Sequence, residues 1–348
     1  HYLQKPVNLE EMRTLLNRLF ETHQPIPEPD AEDEDTEPEH YPIEGILGES
    51  APIKEVRETI RRMSEIPSST MLIRGETGTG KNLVSRTIHD NSRFSDGRFM
   101  EINCAALPDN LLEAELFGYE KGAFTDARES KPGLLEVADE GTLFLDEIDS
   151  MSMALQAKLL SFLENLTFRR LGGVEDISVE ARILCATNAD LGEKIAQREF
   201  RKDLFYRINV VSVTTPPLRT MGDDLFIIAE DIVTHFNEEL GLEIEGLSDD
   251  AREKLMSHSW PGNVRELRNV LERAMIFTQG DVIEADDLSL LQIEEFVQGG
   301  DGAPANGLFS FEPGRSLKEL EKEYIRYTLE KNEDSSYSDI ADVLGISK

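Results

Sequence analysis

The strongest chemical signal in the sequence is a glycine-rich segment that ends in lysine. It reads Gly75-Glu76-Thr77-Gly78-Thr79-Gly80-Lys81-Asn82 and lies between an apolar run and a helical pattern that begins near Leu83. Backbone N–H groups of such a loop, together with the N-terminus of the next helix, can surround phosphates, and the lysine can reach the outermost one. The order of strand, loop and helix favours a P-loop over the alternative, a glycine-rich turn with an incidental lysine.

Two adjacent acids, Asp146 and Glu147, follow the apolar run 141–145. At the carboxyl edge of a parallel sheet, Asp146 can hold Mg²⁺ and Glu147 can polarise a water molecule for attack on a phosphate. A pair of acids after a strand is also common at a helix N-terminus, so this interpretation depends on the P-loop. Asn82 is a second candidate metal ligand. The P-loop motif usually ends in Ser or Thr, whose hydroxyl contacts Mg²⁺. With an amide oxygen at this position, it stays open whether residue 82 coordinates the metal.

These residues need a sheet to bring them together. Short apolar runs alternate with helical patterns, which is typical of a parallel sheet with helices on both faces. The runs are 70–74, 142–145, 182–186 and 210–214. From about residue 223 to residue 291 the pattern is wholly helical. We therefore predict an α/β domain at 43–216 and a small helical domain at 217–297.

The flanking segments are predicted to be linkers and short helices. An acidic linker is expected at 25–42, because residues 28–39 hold eight acids, two prolines and no base. A short amphipathic helix at about 9–20 lies within the segment 1–24. A second linker is expected at 298–314, and two helices follow in 315–348. Both end patterns look cut from something longer.

The overall charge excludes several classes of partner. The chain has 348 residues with 69 acidic and 36 basic side chains, a net charge of −33, so its average surface repels nucleic acids and anionic membranes. Cys104 and Cys185 are too few for a disulfide framework, and no His or Cys spacing is typical of zinc. With no apolar run of membrane-spanning length and no signal peptide, we expect a cytoplasmic protein without a membrane partner.

Further motifs narrow the interpretation. Residues 115–127 read ELFGYEKGAFTDA, and other segments read NCAAL from Asn103, ATN from Ala186, FRKDLFYR from Phe200 and WPGNVREL from Trp260. Over about 43–290 the sequence resembles the AAA+ ATPases and, more narrowly, the bacterial enhancer-binding proteins, the NtrC-like activators of sigma-54 RNA polymerase. The resemblance implies an AAA+ α/β domain with a helical lid, which binds ATP and Mg²⁺ in a ring of six or seven copies. In that family the P-loop commonly ends in Glu. Asn82 therefore differs both from the family and from the general P-loop motif, which ends in Ser or Thr.

The resemblance implies roles for three arginines. Arg201 and Arg207 are similar to arginine fingers, which reach the γ-phosphate bound by a neighbouring subunit and make hydrolysis depend on assembly. Arg265 is similar to the sensor II arginine, which contacts the nucleotide of its own subunit. The alternatives are surface ion pairs for Arg201 and Arg207 and a helix-terminal salt bridge for Arg265.

The resemblance also implies polar contacts around the phosphates. Thr187 and Asn188 are similar to sensor I, a pair at a strand end beside the nucleotide. Asn103 is similar to the switch asparagine, which hydrogen-bonds the water-activating glutamate, here Glu147.

The motif at 115–127 is similar to the family's GAFTGA loop, with Asp126 in place of its second glycine. An exposed aromatic on a loop of small residues is typical of an interface. The resemblance makes the partner the N-terminal region of sigma-54 in the RNA polymerase holoenzyme. The predicted contact residues are Gly122, Ala123, Phe124, Thr125, Asp126 and Ala127.

The chain ends resemble other modules of two-component regulators. Residues 1–24, with Lys5 before a proline, resemble the end of a receiver domain, which implies control by a sensor kinase. Residues 315–348 resemble the start of a Fis-type helix-turn-helix without its recognition helix, which implies upstream DNA binding only by a longer chain.

The resulting hypothesis is a sigma-54-dependent activator that hydrolyses ATP to remodel the polymerase and open promoter DNA. Two alternatives stay open. The first is a nucleotide-binding regulator that no longer hydrolyses ATP or no longer engages sigma-54, because Asn82 and Asp126 depart from the family. The second is a general AAA+ unfoldase or loader, which leaves the loop at 115–127 unexplained.

Overall fold

The computed structural model describes residues 40–66, 70–125, 127–278 and 280–290. The predicted helix at 9–20, the acidic run 28–39, the second linker and the helix-turn-helix segment lie outside these residues. The described residues up to Leu288 belong to one compact unit. No helix within these ranges is both long and apolar enough to cross a bilayer.

A five-stranded parallel sheet forms the centre of the fold. Its strands are β1 (Thr70–Arg74), β2 (Phe99–Asn103), β3 (Thr142–Asp146), β6 (Arg182–Thr187) and β7 (Ser212–Thr214), in the order β2-β3-β6-β1-β7. Central strands β1, β3 and β6 are buried along almost their whole length, which explains their continuous apolar sequence. The predicted parallel α/β architecture is confirmed.

Ten α-helices surround this sheet and build the lid in the described part of the chain. They are α1 (Ala51–Glu65), α2 (Lys81–Asp90), α3 (Asp109–Phe117), α4 (Leu134–Val137), α5 (Met153–Asn165), α6 (Leu191–Ala196), α7 (Lys202–Ile208), α8 (Asp224–Leu240), α9 (Asp249–Ser257) and α10 (Asn263–Phe277). Short 3₁₀ turns occur at Ile43–Gly45, Ile148–Ser150, Leu218–Thr220 and Ala285–Asp287. The core combines apolar residues of the sheet with α3 and α5, among them Leu143, Leu116 and Phe162.

Two short strand pairs accompany these elements. β4 (Thr167–Phe168) and β5 (Ile177–Ser178) form an antiparallel hairpin. In the lid, β8 (Gly246–Leu247), which follows α8, pairs in parallel with β9 (Val282–Ile283), which follows α10. The expectation of a wholly helical segment after residue 223 is therefore wrong in this detail. Two-residue strands are too short to produce a visible alternation of apolar and polar residues.

The lid is fastened to the P-loop by Asn263 at the start of α10. The Asn263 side chain is buried and its φ is +52°, a left-handed conformation that asparagine tolerates better than most residues. Its amide nitrogen donates to the Thr77 carbonyl oxygen at 3.0 Å and to a Glu76 carboxylate oxygen at 3.2 Å. Its amide oxygen accepts from the Leu218 N–H at 2.9 Å. One side chain thus joins the P-loop, the turn at Leu218–Thr220 and the lid.

An ion pair supports this attachment. The Arg219 guanidinium donates to both carboxylate oxygens of Glu76, at 2.7 and 2.5 Å. The Arg219 guanidinium is the main cause that lowers the pKa of Glu76 from 4.5 to about 2. A carboxyl group with a lower pKa in the folded state stabilises that state above its unfolded pKa and loses this contribution as the pH falls.

We therefore expect the Arg219→Ala change to lower the free energy of unfolding at pH 7 by at most about 1 kcal/mol, because both partners are almost half exposed. The effect should shrink as the pH falls from about 4.5 towards 2. Urea unfolding at several pH values measures it. In a Glu76→Gln background the same change should have an effect that does not vary with pH, and an unchanged pH dependence there would contradict the assignment.

Candidate functional site

The P-loop has backbone conformations that favour glycine. Gly80 has φ +87° and directly precedes α2, and Gly78 has φ +80°. A Cβ on Gly78 would lie 2.1 Å from the Gly262 carbonyl oxygen and 3.1 Å from the Arg265 Cβ. The Val264 N–H donates to the Gly78 carbonyl oxygen at 3.0 Å. The first turn of α10 therefore lies against the P-loop, as the sensor II prediction requires.

Two P-loop threonines hold the loop to its surroundings. The Thr79 hydroxyl donates to the Glu76 carbonyl oxygen at 2.8 Å and lies 2.7 Å from the Thr215 hydroxyl. The Thr77 hydroxyl accepts a hydrogen bond of 2.9 Å from the Asn188 amide. Asn188, directly after β6, therefore contacts the P-loop.

Lys81 is buried at the start of α2. Its ammonium group donates to the carbonyl oxygens of Gly75 and Glu76 at 3.0 and 3.1 Å. Burial lowers the pKa of Lys81, whereas the nearby carboxylates of Asp146 and Glu147 raise it. Lys81 and the acid pair therefore share one electrostatic environment at the carboxyl edge of the sheet.

Arg265 brings a second cation to this site. Its positive charge contributes to the lowered pKa of Lys81, so the two groups lie close enough to repel each other. Within the described ranges, the Arg265 side chain is exposed and has no hydrogen bond or ion pair of its own. An exposed guanidinium beside a lysine and a helix N-terminus is well suited to bind a polyanion. The sheet edge and the lid thus bring Lys81, Arg265 and the acid pair together in an arrangement that suits a phosphate group.

The acid pair has an unusual backbone. Glu147 adopts φ +52° directly before the turn Ile148–Ser150, and its N–H donates to an Asp146 carboxylate oxygen at 2.9 Å. Left-handed backbone at a residue other than glycine is uncommon and is often found at functional sites. The turn directs the chain away from β3 immediately after the acids.

Asn103 ends β2 and is aligned with Asp146 in the sheet. Its amide oxygen accepts a hydrogen bond of 2.8 Å from the Ala105 N–H. In the described structure no hydrogen bond joins Asn103 to Glu147. The switch contact that the resemblance implies is therefore not formed in this arrangement.

The Thr187 hydroxyl is used within the protein. It donates to Asp149 at 2.6 Å and accepts from the Ala189 N–H at 3.0 Å. Lys194 forms an ion pair of 3.1 Å with the other oxygen of Asp149. The sequence analysis missed Asp149 and Lys194. Asp149 connects the turn after Glu147 to the end of β6, and Lys194 connects the same turn to α6.

Both the nitrogen and the oxygen of the Asn82 side-chain amide have hydrogen-bond partners within the protein. Its nitrogen donates to Glu101, and its oxygen accepts from Arg86 at 3.0 Å. Mg²⁺ in nucleotide sites commonly takes one or two protein carboxylates together with phosphate oxygens, and Asp146 fits that requirement. No group of three or more His, Cys, Asp or Glu side chains among the described residues could hold a metal by itself. Asp146 rather than Asn82 is therefore the candidate ligand in this arrangement.

The two finger candidates lie at opposite ends of α7. Arg201 pairs with Asp203, with contacts of 3.0 and 2.6 Å, and Arg207 donates to the Leu163 carbonyl oxygen at 3.0 and 2.5 Å. Met153, Arg198 and Tyr206 help to line an open groove of about 590 Å³ beside Arg201. Both arginines therefore have partners within their own chain.

The loop at 119–131, here called the aromatic loop, presents Phe124 to solvent. Its base closes by a bridge between Tyr119 and Lys131. Phe124 is 44% exposed, and its ring meets the Tyr119 ring edge-on at 4.9 Å. Thr125 is also exposed, whereas Ala127 is buried and its N–H donates to the Phe124 carbonyl oxygen at 3.0 Å. Ala127 thus serves the turn, because its buried side chain cannot contact a partner.

The remaining loop residues and the hairpin behind them complete this surface. Gly122 has φ +85° and is exposed, Ala123 is partly exposed, and Asp126 lies outside the described residues. Backbone hydrogen bonds of 2.9 Å join Leu171, in the hairpin segment, to Gly118 and Glu120. The sequence analysis missed Arg170, whose guanidinium contacts Glu120 at 3.0 Å and Glu136 at 2.6 Å.

Comparison with known families agrees with this geometry. Residues 46–214 match the Sigma-54 interaction domain, and residues 219–298 match the AAA+ ATPase lid domain. These ranges correspond closely to the sheet domain and the lid of the structure.

Individual proteins are similar over larger parts of the chain. The nitrogen fixation protein AnfA of Azotobacter vinelandii is 46% identical over 72% of this chain and 47% of its own length. The regulatory protein AtoC of Escherichia coli is 43% identical over 81% of this chain and 61% of its own length. The response regulator protein PilR of Pseudomonas aeruginosa is 38% identical over 95% of this chain and 71% of its own length. The chain thus spans about half the length of the first curated relatives it matches.

A solved structure extends the comparison to the fold. The crystal structure of NtrX from Brucella abortus in complex with ATP has 30% sequence identity and a TM-score of 0.68, over 99% of this chain and 74% of the NtrX chain. The similarity to PilR and NtrX extends beyond either matched domain. With its P-loop domain, its lid and these relatives, the chain belongs to the bacterial enhancer-binding proteins, the AAA+ activators of sigma-54.

Proposed function

We propose that this chain is the motor of a sigma-54-dependent transcriptional activator, which hydrolyses ATP in a ring of six or seven copies. The observation that carries the proposal is that the first turn of α10, with Arg265, lies against the P-loop, where the charges of Arg265 and of the acid pair act on Lys81. The family supports ATP as the ligand, and NtrX has been crystallised with ATP. Such a motor works in the cytoplasm, where it meets the polymerase.

The residues of the site divide the chemistry among them. Lys81 and Arg265 bind the outer phosphates, and the P-loop N–H groups bind the others. Glu147, held in its left-handed conformation next to Lys81, orients and polarises the attacking water. Asp146 would hold Mg²⁺, which neutralises phosphate charge when it is bound.

Arg201 and Arg207 make turnover depend on assembly in this proposal. Both side chains are already engaged, with Asp203 and with the Leu163 carbonyl oxygen. To act on a phosphate of the neighbouring copy, each has to exchange its partner. The charged oxygens of a phosphate can accept two hydrogen bonds from a guanidinium, so they can take the place of the Asp203 carboxylate or the Leu163 carbonyl oxygen.

A continuous path connects the acid pair with the aromatic loop. The turn after Glu147 leads into α5, and α5 leads into β4 and its hairpin. Leu171 of the hairpin segment then holds the base of the aromatic loop by backbone hydrogen bonds. We infer that a shift of the turn after hydrolysis moves α5 and, through the hairpin, Phe124 and Thr125 against sigma-54.

The partners of the whole protein extend this proposal. A receiver domain before residue 24 would accept a phosphoryl group from a sensor kinase, and a complete helix-turn-helix after residue 315 would bind upstream DNA. PilR, a response regulator, supports this organisation.

The first test concerns hydrolysis and its dependence on assembly. Wild-type protein should release phosphate from Mg²⁺-ATP with a specific activity that rises with protein concentration, because the fingers act between copies. Absence of turnover at every concentration, with ATP still bound, would favour the regulator that no longer hydrolyses ATP.

The Arg201→Ala and Arg207→Ala changes should keep ATP binding and reduce turnover by roughly 10³-fold, as expected for an arginine finger. Mixing either variant with Lys81→Ala subunits should restore part of the activity, because an intact finger then meets an intact P-loop. Lys202→Ala on the same helix is the matched control and should hydrolyse ATP normally. Full turnover in both arginine variants would refute the finger assignment.

The Phe124→Ala and Thr125→Ala changes should leave ATP hydrolysis intact and abolish open-complex formation with sigma-54 holoenzyme, because they remove only the exposed contact. Val174 is 87% exposed on the neighbouring hairpin, so Val174→Ala is the control for loss of an exposed apolar group. Normal promoter opening by the Phe124 variant would remove the aromatic loop from the mechanism.

A further inference from the structure

A closed ring of three hydrogen bonds lies immediately beside the P-loop. The Asn82 amide nitrogen donates to one carboxylate oxygen of Glu101, in a short contact. The Asn82 amide oxygen accepts from the Arg86 Nε at 3.0 Å. The Arg86 Nη2 donates to the other oxygen of Glu101 at 3.2 Å. Each member thus contacts both others, and the cluster holds one positive charge, one negative charge and one neutral amide.

The cluster joins two elements of the phosphate site. Asn82 and Arg86 lie one turn apart in α2, directly after Lys81, whereas Glu101 lies in the edge strand β2, two residues before Asn103. The Arg86 guanidinium also stacks on the Phe99 ring of β2, 4.8 Å from its centroid. The first turn of α2, which presents Lys81 to the phosphates, is therefore fixed to β2 through Arg86 and Asn82.

We propose that Glu101 is a positioning residue for the nucleotide site, which acts through Arg86 and Asn82 on the N-terminal turn of α2. This inference rests on the proposed ATP site. Glu101 supplies the carboxylate of the cluster, so position 82 has to stay neutral in this chain. A carboxylate at position 82 would face the Glu101 carboxylate at hydrogen-bond distance, and one of the two would have to move away or bind a proton.

Two isosteric changes separate the contribution of Asn82 from that of Glu101. Asn82→Asp adds a second carboxylate, and Glu101→Gln removes the one present, without a change of shape in either case. The double change Asn82→Asp/Glu101→Gln exchanges the charged and neutral positions. In this double variant the new amide at position 101 can donate to the new carboxylate at position 82, and Arg86 can donate to both side chains, so all three hydrogen bonds have partners again.

Glu101→Gln also separates positioning from a simple effect of charge. Removal of a negative charge near a polyanionic ligand strengthens binding if only the electrostatic field matters. Loss of the hydrogen-bonded carboxylate weakens binding if Glu101 positions α2. The two explanations therefore predict opposite signs for this one variant.

The experiment measures the affinity of full-chain protein for a fluorescent non-hydrolysable ATP analogue, in EDTA and with Mg²⁺, together with thermal unfolding and ATP turnover. We expect each single variant to bind the analogue roughly tenfold more weakly in both conditions, and the double variant to return to within about threefold of wild type. The increase in melting temperature on analogue binding should follow the same order. Asn165→Asp, the same charge change at the end of α5, should leave the affinity and the ATP turnover unchanged.

Equal or tighter binding by Glu101→Gln would overturn the proposal, and so would a double variant whose loss is the sum of the single losses. If a single variant fails to fold, its melting curve without nucleotide shows this, and the double variant still tests the exchange against wild type. Failure of the proposed function has a different result, since wild-type protein would bind the analogue, respond to these substitutions and release no phosphate.

Discussion

The site depends on the placement of a buried lysine ammonium at the carboxyl edge of a parallel sheet. Burial disfavours the charged form of Lys81, and the carboxylates of Asp146 and Glu147 counteract that cost. Neither acid is adjacent in sequence to the P-loop, so the register of β1, β6 and β3 has to bring them to the same edge. The uninterrupted apolar sequence of these strands therefore serves the chemistry as well as the core.

The lid completes the site because its attachment is made to the P-loop itself. Asn263 donates to Glu76 and Thr77, and the neighbouring N–H of Val264 donates to Gly78. These contacts hold the first turn of α10, which carries Arg265, against the P-loop. Any movement of the P-loop is therefore passed to the first turn of α10 through these hydrogen bonds. In the proposed motor, this attachment would couple ATP binding to the relative position of the sheet domain and the lid.

The parts of this structure that could be predicted from sequence are those determined by the order of neighbouring elements along the chain. The P-loop follows a strand and precedes a helix, and the acids follow a second buried run, so their places in the fold were confirmed. The contacts that the sequence analysis missed join distant residues. Glu76 pairs with Arg219 and Asn263, and Asp149 takes the Thr187 hydroxyl that was assigned to the nucleotide. No repeating pattern of apolar and polar residues indicates such a pairing, because each partner is by itself an ordinary polar residue on a turn or strand end.

Because the chain is so acidic, it is informative which basic side chains have an acidic partner and which do not. With 69 acids to 36 bases, a basic side chain finds an acidic partner easily, and Arg86, Arg170, Arg201 and Arg219 all do so. Arg265 lacks such a partner within the described ranges. A cation that stays unpaired in an acidic protein, beside a buried lysine and a helix N-terminus, is available to an anionic ligand. A net charge of −33 is therefore compatible with strong phosphate binding, because the local arrangement of charges rather than their sum determines what the site attracts.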